Sequence, residues 1–275
     1  MTKVWLPLLV LSCGGSGIAQ AQSDVITVTG TRVERPSLET PASIDRVAAD
    51  DIRFARPQIN LSESLGRVPG ISVQNRQNYA QDLQISSRGF GGRSTFGVRG
   101  LRLITDGIPA SFPDGQGQVS HFDLSSAERI EVLRGPFAVM YGNAAGGVIN
   151  LMTESGARYG DGRAAAGAEL SLGSFGTWRG GVKAGGKEGN ADWILSTSHF
   201  HTNGYRQHSD ADRDQLNAKL GLALGQDSSL TLVGNWFDSP DTQDPLGLTR
   251  AQMAADPRQV AATALTFDTR KTASQ

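Results

Sequence analysis

Residues 128–153, ERIEVLRGPFAVMYGNAAGGVINLMT, constrain the fold more tightly than any other part of the chain. Residues 129–133 alternate charged and apolar side chains, the period-2 pattern of a half-buried strand. Gly135-Pro136 stops that strand, because proline fixes φ and removes a ladder donor. Residues 137–141 fit one or two helical turns, closed by Gly142-Asn143, a pair that tolerates left-handed φ. Gly146-Gly147 then releases residues 148–152 as a second strand. A strand–turn–helix–turn–strand unit of this size cannot bury both its faces alone, so other parts of the chain must cover it.

Upstream lie short elements that can do so. Residues 43–47 read as a strand and 48–56 as a short helix, with Asp50 and Asp51 where the helix dipole favours them. Asn60 reads as an N-cap and Glu63 as its capping-box partner ahead of Leu65, with residues 68–70 ending that helix. Strands at 71–74 and 83–86 flank a polar stretch at 75–82. Residues 96–105 read as one strand turning at Asp106-Gly107, a favoured hairpin pair, and 112–118 (FPDGQGQ) form a second polar loop. Gly89, Gly91, Gly92 and Gly97 do not make a phosphate loop, since no Gly-Lys-Ser/Thr follows.

A different pattern begins at Arg163. Ala168, Leu170 and Leu172 alternate with Gly167, Glu169 and Ser171; Trp178, Val182 and Ala184 alternate with Arg179, Gly181 and Lys183. Leu216 to Leu224 and Leu230 to Trp236 repeat the alternation against Gln215, Asn217, Lys219, Thr231 and Asn235. This is the dyad repeat of a transmembrane barrel, apolar toward lipid and polar toward the lumen, with Trp178 and Trp236 suited to interfacial girdles. Residues 193–201 break it, because Ile194 and Phe200 fall opposite Trp193 and Leu195. Connections at 186–190 and 225–228 are short, like periplasmic turns; those at 203–212 and beyond Asp238 are long, like extracellular loops. That gives about five strands, the odd ones running outward, and a sixth starting near Ala273. A soluble antiparallel sandwich with one wet face is the alternative.

Glycine, at 34 of 275 residues, exceeds its usual share of about 7% and favours turns and short strands over long helices. The formal charge of -1 gives no support for a nucleic-acid partner. No apolar run is long enough for a membrane-spanning helix. Residues 1–21 read as a secretory signal peptide: Lys3, an apolar run at 4–11, and Ala19-Gln20-Ala21 as the cleavage site. Cys13 is the only cysteine; Leu11 suits a lipid-attachment site poorly, and removal with the signal leaves an exported chain without disulfides.

The stretch at 128–153 resembles the end of the plug domain of TonB-dependent outer-membrane receptors, through Glu128 to Pro136 and through Tyr141-Gly142 with Gly146-Gly147-Val148-Ile149-Asn150. Ser64 to Ile71 (SLGRVPGI), Arg88-Gly89-Phe90 and Asp106-Gly107-Ile108-Pro109 resemble further signatures in the family's order. The resemblance implies an α+β plug domain, a small mixed sheet with short helices, followed by an antiparallel β-meander that is the start of a transmembrane β-barrel. The corresponding division is signal peptide 1–21, TonB box and linker 22–40, plug 41–155, and barrel strands 160–275. Plugged transporters close with about 22 strands, so the expectation is an N-terminal fragment that forms no channel alone.

Asp24, Val25, Ile26, Thr27, Val28 and Thr29 form a short β-prone segment, either a frayed terminal strand or, by resemblance, a TonB box. A TonB box adds as a strand to a sheet edge of the periplasmic TonB protein. Only Gln22 and Ser23 precede it after the signal, which argues against an N-terminal signalling domain. By resemblance, Arg88 and Arg134 pair with barrel glutamates beyond Gln275, an unpaired buried charge being costly; the alternative is two solvated lumen charges. Arg76, Tyr79, Phe112 and Gln116 fall on loops that face outward in the family and offer charge, ring and amide chemistry for an iron-siderophore complex, or are ordinary polar-loop residues. His199 and His201 share a strand face with His208 nearby, but a metal site needs three or four converging ligands, so none is assigned.

The function implied is active uptake of a scarce ligand, most simply a ferric siderophore, across the outer membrane. The partners are TonB with its inner-membrane energising complex, the ligand and outer-membrane lipid; no cofactor is implied. Nucleophile–base arrangements and Gly-x-Ser-x-Gly are absent, so no catalytic residues are named and no enzyme is expected. Two alternatives are a periplasmic TonB-binding plug fragment that transports nothing and a secreted adhesin-like β protein.

Overall fold

The computed structural model describes residues 27–29, 35–36, 39–94, 97–112 and 114–275. The signal peptide expected over residues 1–21, Asp24 to Ile26 of the N-terminal segment, and Phe96 lie outside the described residues.

β1 (Thr27–Val28) pairs antiparallel with β2 (Arg35–Pro36). β3 (Ser43–Ala48) runs into α1 (Ala49–Arg53), which carries Asp50 and Asp51 in its first turn. α2 (Ser62–Leu65) precedes the hairpin of β4 (Ile71–Gln74) and β5 (Gln84–Ser87). Leu61, not Asn60, is the N-cap of α2, and no side chain caps it. The Asn60 amide oxygen instead accepts from Arg213, 153 positions away (3.3 Å). Glu63 keeps its half of the predicted box, accepting from the backbone N–H groups of Gln58, Ile59 and Asn60 at 2.7–2.9 Å. The helix ends at Leu65, before the predicted stop at 68–70.

The strand expected over 96–105 is broken in two at Gly100 (φ 76°), giving β6 (Val98–Arg99) and β7 (Arg102–Thr105). Asp106 and Gly107, at φ 47° and 82°, turn β7 into β8 (Ile108–Pro109) as the dipeptide predicts. β9 (Gln116–Gly117) pairs with β6. β10 (Ala127–Arg134) ends at Gly135-Pro136, where a 3₁₀-helix (Pro136–Tyr141) leads to β11 (Val148–Thr153).

These strands form a mixed five-stranded sheet in the order β3-β10-β11-β7-β8, with β11 parallel to β7 and the other pairings antiparallel. The alternation at 129–133 predicts one wet face, yet Arg129, Glu131 and Leu133 are buried like Ile130 and Val132. Arg129 and Glu131 tolerate burial because they pair with each other at 2.9 Å. The opposite face packs Ile130, Ile149 and Leu151 against Ile52, Leu65 and Leu103. Each such side chain contributes roughly 1.5–3 kcal/mol on burial.

His121 is buried beside this core, its ring edge-on to Phe122 at 5.0 Å. Burial lowers its pKa from 6.5 to about 4. A histidine kept neutral by folding costs stability as pH falls below its unfolded value, until the folded value is reached. Lowering pH from 7 to 5 is therefore expected to cost about 2 kcal/mol through His121. In denaturant titrations at the two pH values, His121→Gln should remove most of that difference.

The remaining strands, β12 (Arg163–Leu172), β13 (Trp178–Glu188), β14 (Ala191–Thr202), β15 (Ala211–Ala223) and β16 (Ser229–Gln243), form a consecutive antiparallel meander. Helices α3 (Arg250–Ala255) and α4 (Ala262–Phe267) lie in the connection to a short sixth strand, β17 (Arg270–Ser274). The sheet is open, with β12 and β17 at its edges. Among the described residues no helix is long and apolar enough to cross a membrane, which says nothing of strands. Connections 189–190 and 224–228 lie at one end and the longer 203–210 and 244–269 at the other.

One face of the meander exposes Leu170, Leu172, Val182, Leu216, Leu230 and Leu232, with Trp178 and Trp236. The irregular segment 193–201 is explained by what covers the other face. Ile194 and Phe200 are 2% and 3% exposed, whereas Trp193 and Leu195 on the open face are 39% and 44% exposed. Phe200 packs on Tyr79, with ring centroids 4.9 Å apart. β14 is thus apolar on both faces because one of them meets residues 39–153.

Candidate functional site

The alternation of β12 to β15 sends Glu169, Arg179, Lys183, Arg213, Gln215 and Lys219 to the covered face, and each reaches an upstream residue. Gln58 Nε2 donates to Glu169 (2.8 Å), which also pairs with Arg179. Arg179 reaches Ser125 Oγ (2.8 Å) and Lys183 the Ser125 carbonyl (3.2 Å). Gln215 donates to the Ser120 carbonyl (3.2 Å), and Lys219 pairs with Asp106 at 3.0 Å and donates to the Thr153 carbonyl (3.1 Å). Arg213 lies over the Tyr79 ring at 5.0 Å and donates to the Tyr79 carbonyl.

Glu154, the first residue after β11, is fully buried where the upstream sheet joins the meander. Arg53 from α1 and Lys183 from β13 each approach its carboxylate to 2.7 Å, and Arg158 pairs with it one helical turn on. Burial favours the protonated acid, but the hydrogen bonds and charges of Lys183 and Arg53 outweigh it and hold the carboxyl below its ordinary value. A side chain on Gly156 would collide with the backbone of Gly186 and Trp193, so the joint lies flat on the meander.

The N-terminal segment lies on the β10–β11 pair of the plug sheet, against Glu131 and Asn150. Val28 is 1% exposed. The backbone N–H and hydroxyl of Thr29 both donate to Glu131 Oε2, at 2.9 and 2.6 Å, and the Tyr141 hydroxyl donates to the Thr29 carbonyl (2.7 Å). Its described residues are docked on the sheet, not frayed.

The TonB-dependent Receptor Plug Domain profile matches residues 36–148. Residues 36–148 are the plug domain of a TonB-dependent receptor. The chain is 28% identical to the vitamin B12 transporter BtuB of Photobacterium profundum over 89% of its own length and 40% of that protein's. It is 32% identical to the ferrienterobactin receptor of Escherichia coli K12, over 56% of this chain and 22% of the receptor. The chain thus spans less than half the length of these relatives. Among solved structures, the pyoverdine outer membrane receptor FpvA of Pseudomonas aeruginosa superposes with a TM-score of 0.61 at 22% identity, over 78% of this chain and 30% of FpvA. The siderophore receptor PirA of the same organism superposes with 0.53 at 25% identity, over 74% and 36%. The architecture is therefore the expected one: a mixed-sheet plug with short helices, then the antiparallel strands that begin a receptor barrel.

The structure scatters the residues singled out for ligand contact. Arg76 is exposed and donates to Gln81 (2.8 Å), in a plug loop whose Asn78 and Gln81 both donate to Asp244 beyond β16 (2.7 and 2.5 Å). Tyr79 is half-buried between Phe200 and Arg213, and burial raises its phenol pKa, partly countered by Arg213. Phe112 is exposed, and Gln116 accepts from Arg99 (3.0 Å) in a separate loop that β8 carries away from the Asp106 turn. Arg88 and Arg134 meet around Gly70. Arg134 is buried and pairs with Asp45 of β3, a partner inside the plug; Arg88 is exposed and makes no ion pair among the described residues.

His199 and His201 bond Asp214 and Asp212 (2.7 and 2.8 Å) beside Trp178, while His208 turns away to the Thr269 carbonyl. Sequence reasoning missed Glu131 and Glu154 and the cations around them. The available signal was the charge on the polar parity of β12 to β15, which reports that something charged lies opposite.

Proposed function

We propose that this chain belongs to an outer-membrane transporter that takes up a ferric siderophore with energy delivered by TonB. Residues 24–29 act as the TonB box, and residues 1–21 direct export. The observation that carries the reading is that the plug holds the N-terminal segment at one place and reaches the long-loop rim at another. The N-terminal segment is docked on Glu131 and Tyr141 of the plug, and plug loop 75–82 is bonded to Asp244 at the long-loop end. A pull on the segment thus reaches loop 75–82 through the β3–β10 pairing and the core. The relatives' names divide between siderophores and vitamin B12. The exposed rings and arginines on the long-loop side favour the anionic siderophore complex. The test is uptake of iron-55 siderophore by cells producing the transporter to which this chain belongs, with and without TonB in the host. Accumulation is expected only with TonB, and equal accumulation in both hosts would refute the reading.

A further inference from the structure

We propose that Phe175, Tyr205 and Arg258 form a binding subsite for a flat aromatic anion at the long-loop rim, and this rests on the siderophore reading above. The three side chains come from three separate connections, at 173–177, 203–210 and 244–269. The Phe175 and Tyr205 rings meet edge-on with centroids 5.3 Å apart. The Arg258 guanidinium carbon lies 5.6 Å from one centroid and 5.7 Å from the other. All three residues are exposed.

The cluster is held in place by backbone contacts. Arg258 Nε donates to the Tyr205 carbonyl (3.1 Å), and the Gln207 N–H donates to the Arg258 carbonyl (3.0 Å). Arg206 fixes the same loop through the carbonyls of Pro245, Leu246 and Gln259 at 3.1, 2.5 and 3.0 Å. Asp256 accepts from the Arg258 backbone and leaves the guanidinium free. Among the described residues, no hydrogen bond engages the two terminal nitrogens of Arg258.

That geometry selects a class of ligand. A guanidinium with both terminal nitrogens free binds a pair of anionic oxygens in fork geometry. Two rings beside it offer an aromatic ligand edge and face contacts. A catecholate or aromatic carboxylate satisfies both requirements at once, whereas an uncharged or cationic aromatic ligand meets only the second. Because Arg258 and its rings are ordered by the loops, little entropy remains to be lost when such a group arrives.

The experiment uses the protein purified from outer membranes in detergent and follows quenching of its intrinsic fluorescence. The probes are the ferric complex of 2,3-dihydroxybenzoate and a ferric hydroxamate. The catecholate complex is expected to bind, and Arg258→Gln and Phe175→Ala should each weaken it about 10-fold while leaving the circular dichroism spectrum unchanged. Phe175→Ala keeps the Arg258 bond to Tyr205, so it tests recognition without loosening the loop. Catecholate affinity unchanged in both variants, or binding of the hydroxamate alone, overturns the subsite and leaves the siderophore reading standing. Binding of neither complex removes both.

Discussion

Glu154→Gln is expected to lower the stability of the plug–strand joint by about 3 kcal/mol, because it leaves Arg53, Lys183 and Arg158 converging on a neutral amide in a buried place. Exposed ion pairs contribute about 1 kcal/mol or less, so Arg99→Gln, which breaks the exposed pair with Asp114, should change little. The pH dependence separates charge from packing. The carboxyl's folded pKa is depressed below its ordinary value of 4.5, so its contribution is complete above that value and is lost as pH falls through the lower folded one. Glu154→Gln should therefore approach the parent protein in acid and differ most near neutrality. Urea titrations in detergent at the two pH values read both effects.

Ile26→Pro should reduce TonB-dependent uptake by at least about 10-fold while leaving ligand binding unchanged. Strand addition draws its affinity from main-chain hydrogen bonds, and proline removes the donor from the middle of the segment. Val28 and Thr29, the residues of the segment that dock on the plug sheet, are unchanged in this variant. Parallel measurements of ligand binding to whole cells and of iron accumulation separate the two steps. Loss of binding together with uptake would show that the segment is structural and not the TonB contact.

Local chemistry carried much of the fold into the sequence. Gly135-Pro136, Asp106-Gly107 and the period-2 runs of β12, β13, β15 and β16 placed turns, strands and the apolar face, because each depends on residues close in the chain. What depends on distant partners was not legible. The alternation of Arg129 and Glu131 reads as a wet face, and the docked Thr29, the Glu128 carboxylate and their mutual ion pair let that face be buried. Asn60 looks like a cap until Arg213 takes its amide, and Tyr79 looks like a ligand contact until Phe200 and Arg213 enclose it. Ile194 and Phe200 were visible as a break in the barrel pattern, and that break marks where the plug touches the strands. Glu154 carries no local signature, since its meaning comes from Arg53 and Lys183 on either side of the joint.

The account rests on residues 39–153 sitting against the polar face of strands whose other face meets lipid. The most direct measurement is cross-linking of Asp106→Cys with Lys219→Cys by a short bis-maleimide in intact outer membranes, the native side chains being 3.0 Å apart. The account predicts an efficient intramolecular link between these positions, with Leu216→Cys and Asp106→Cys giving none because Leu216 points to the lipid side. A pair at 106 and 216 that links as well as the pair at 106 and 219 would contradict it.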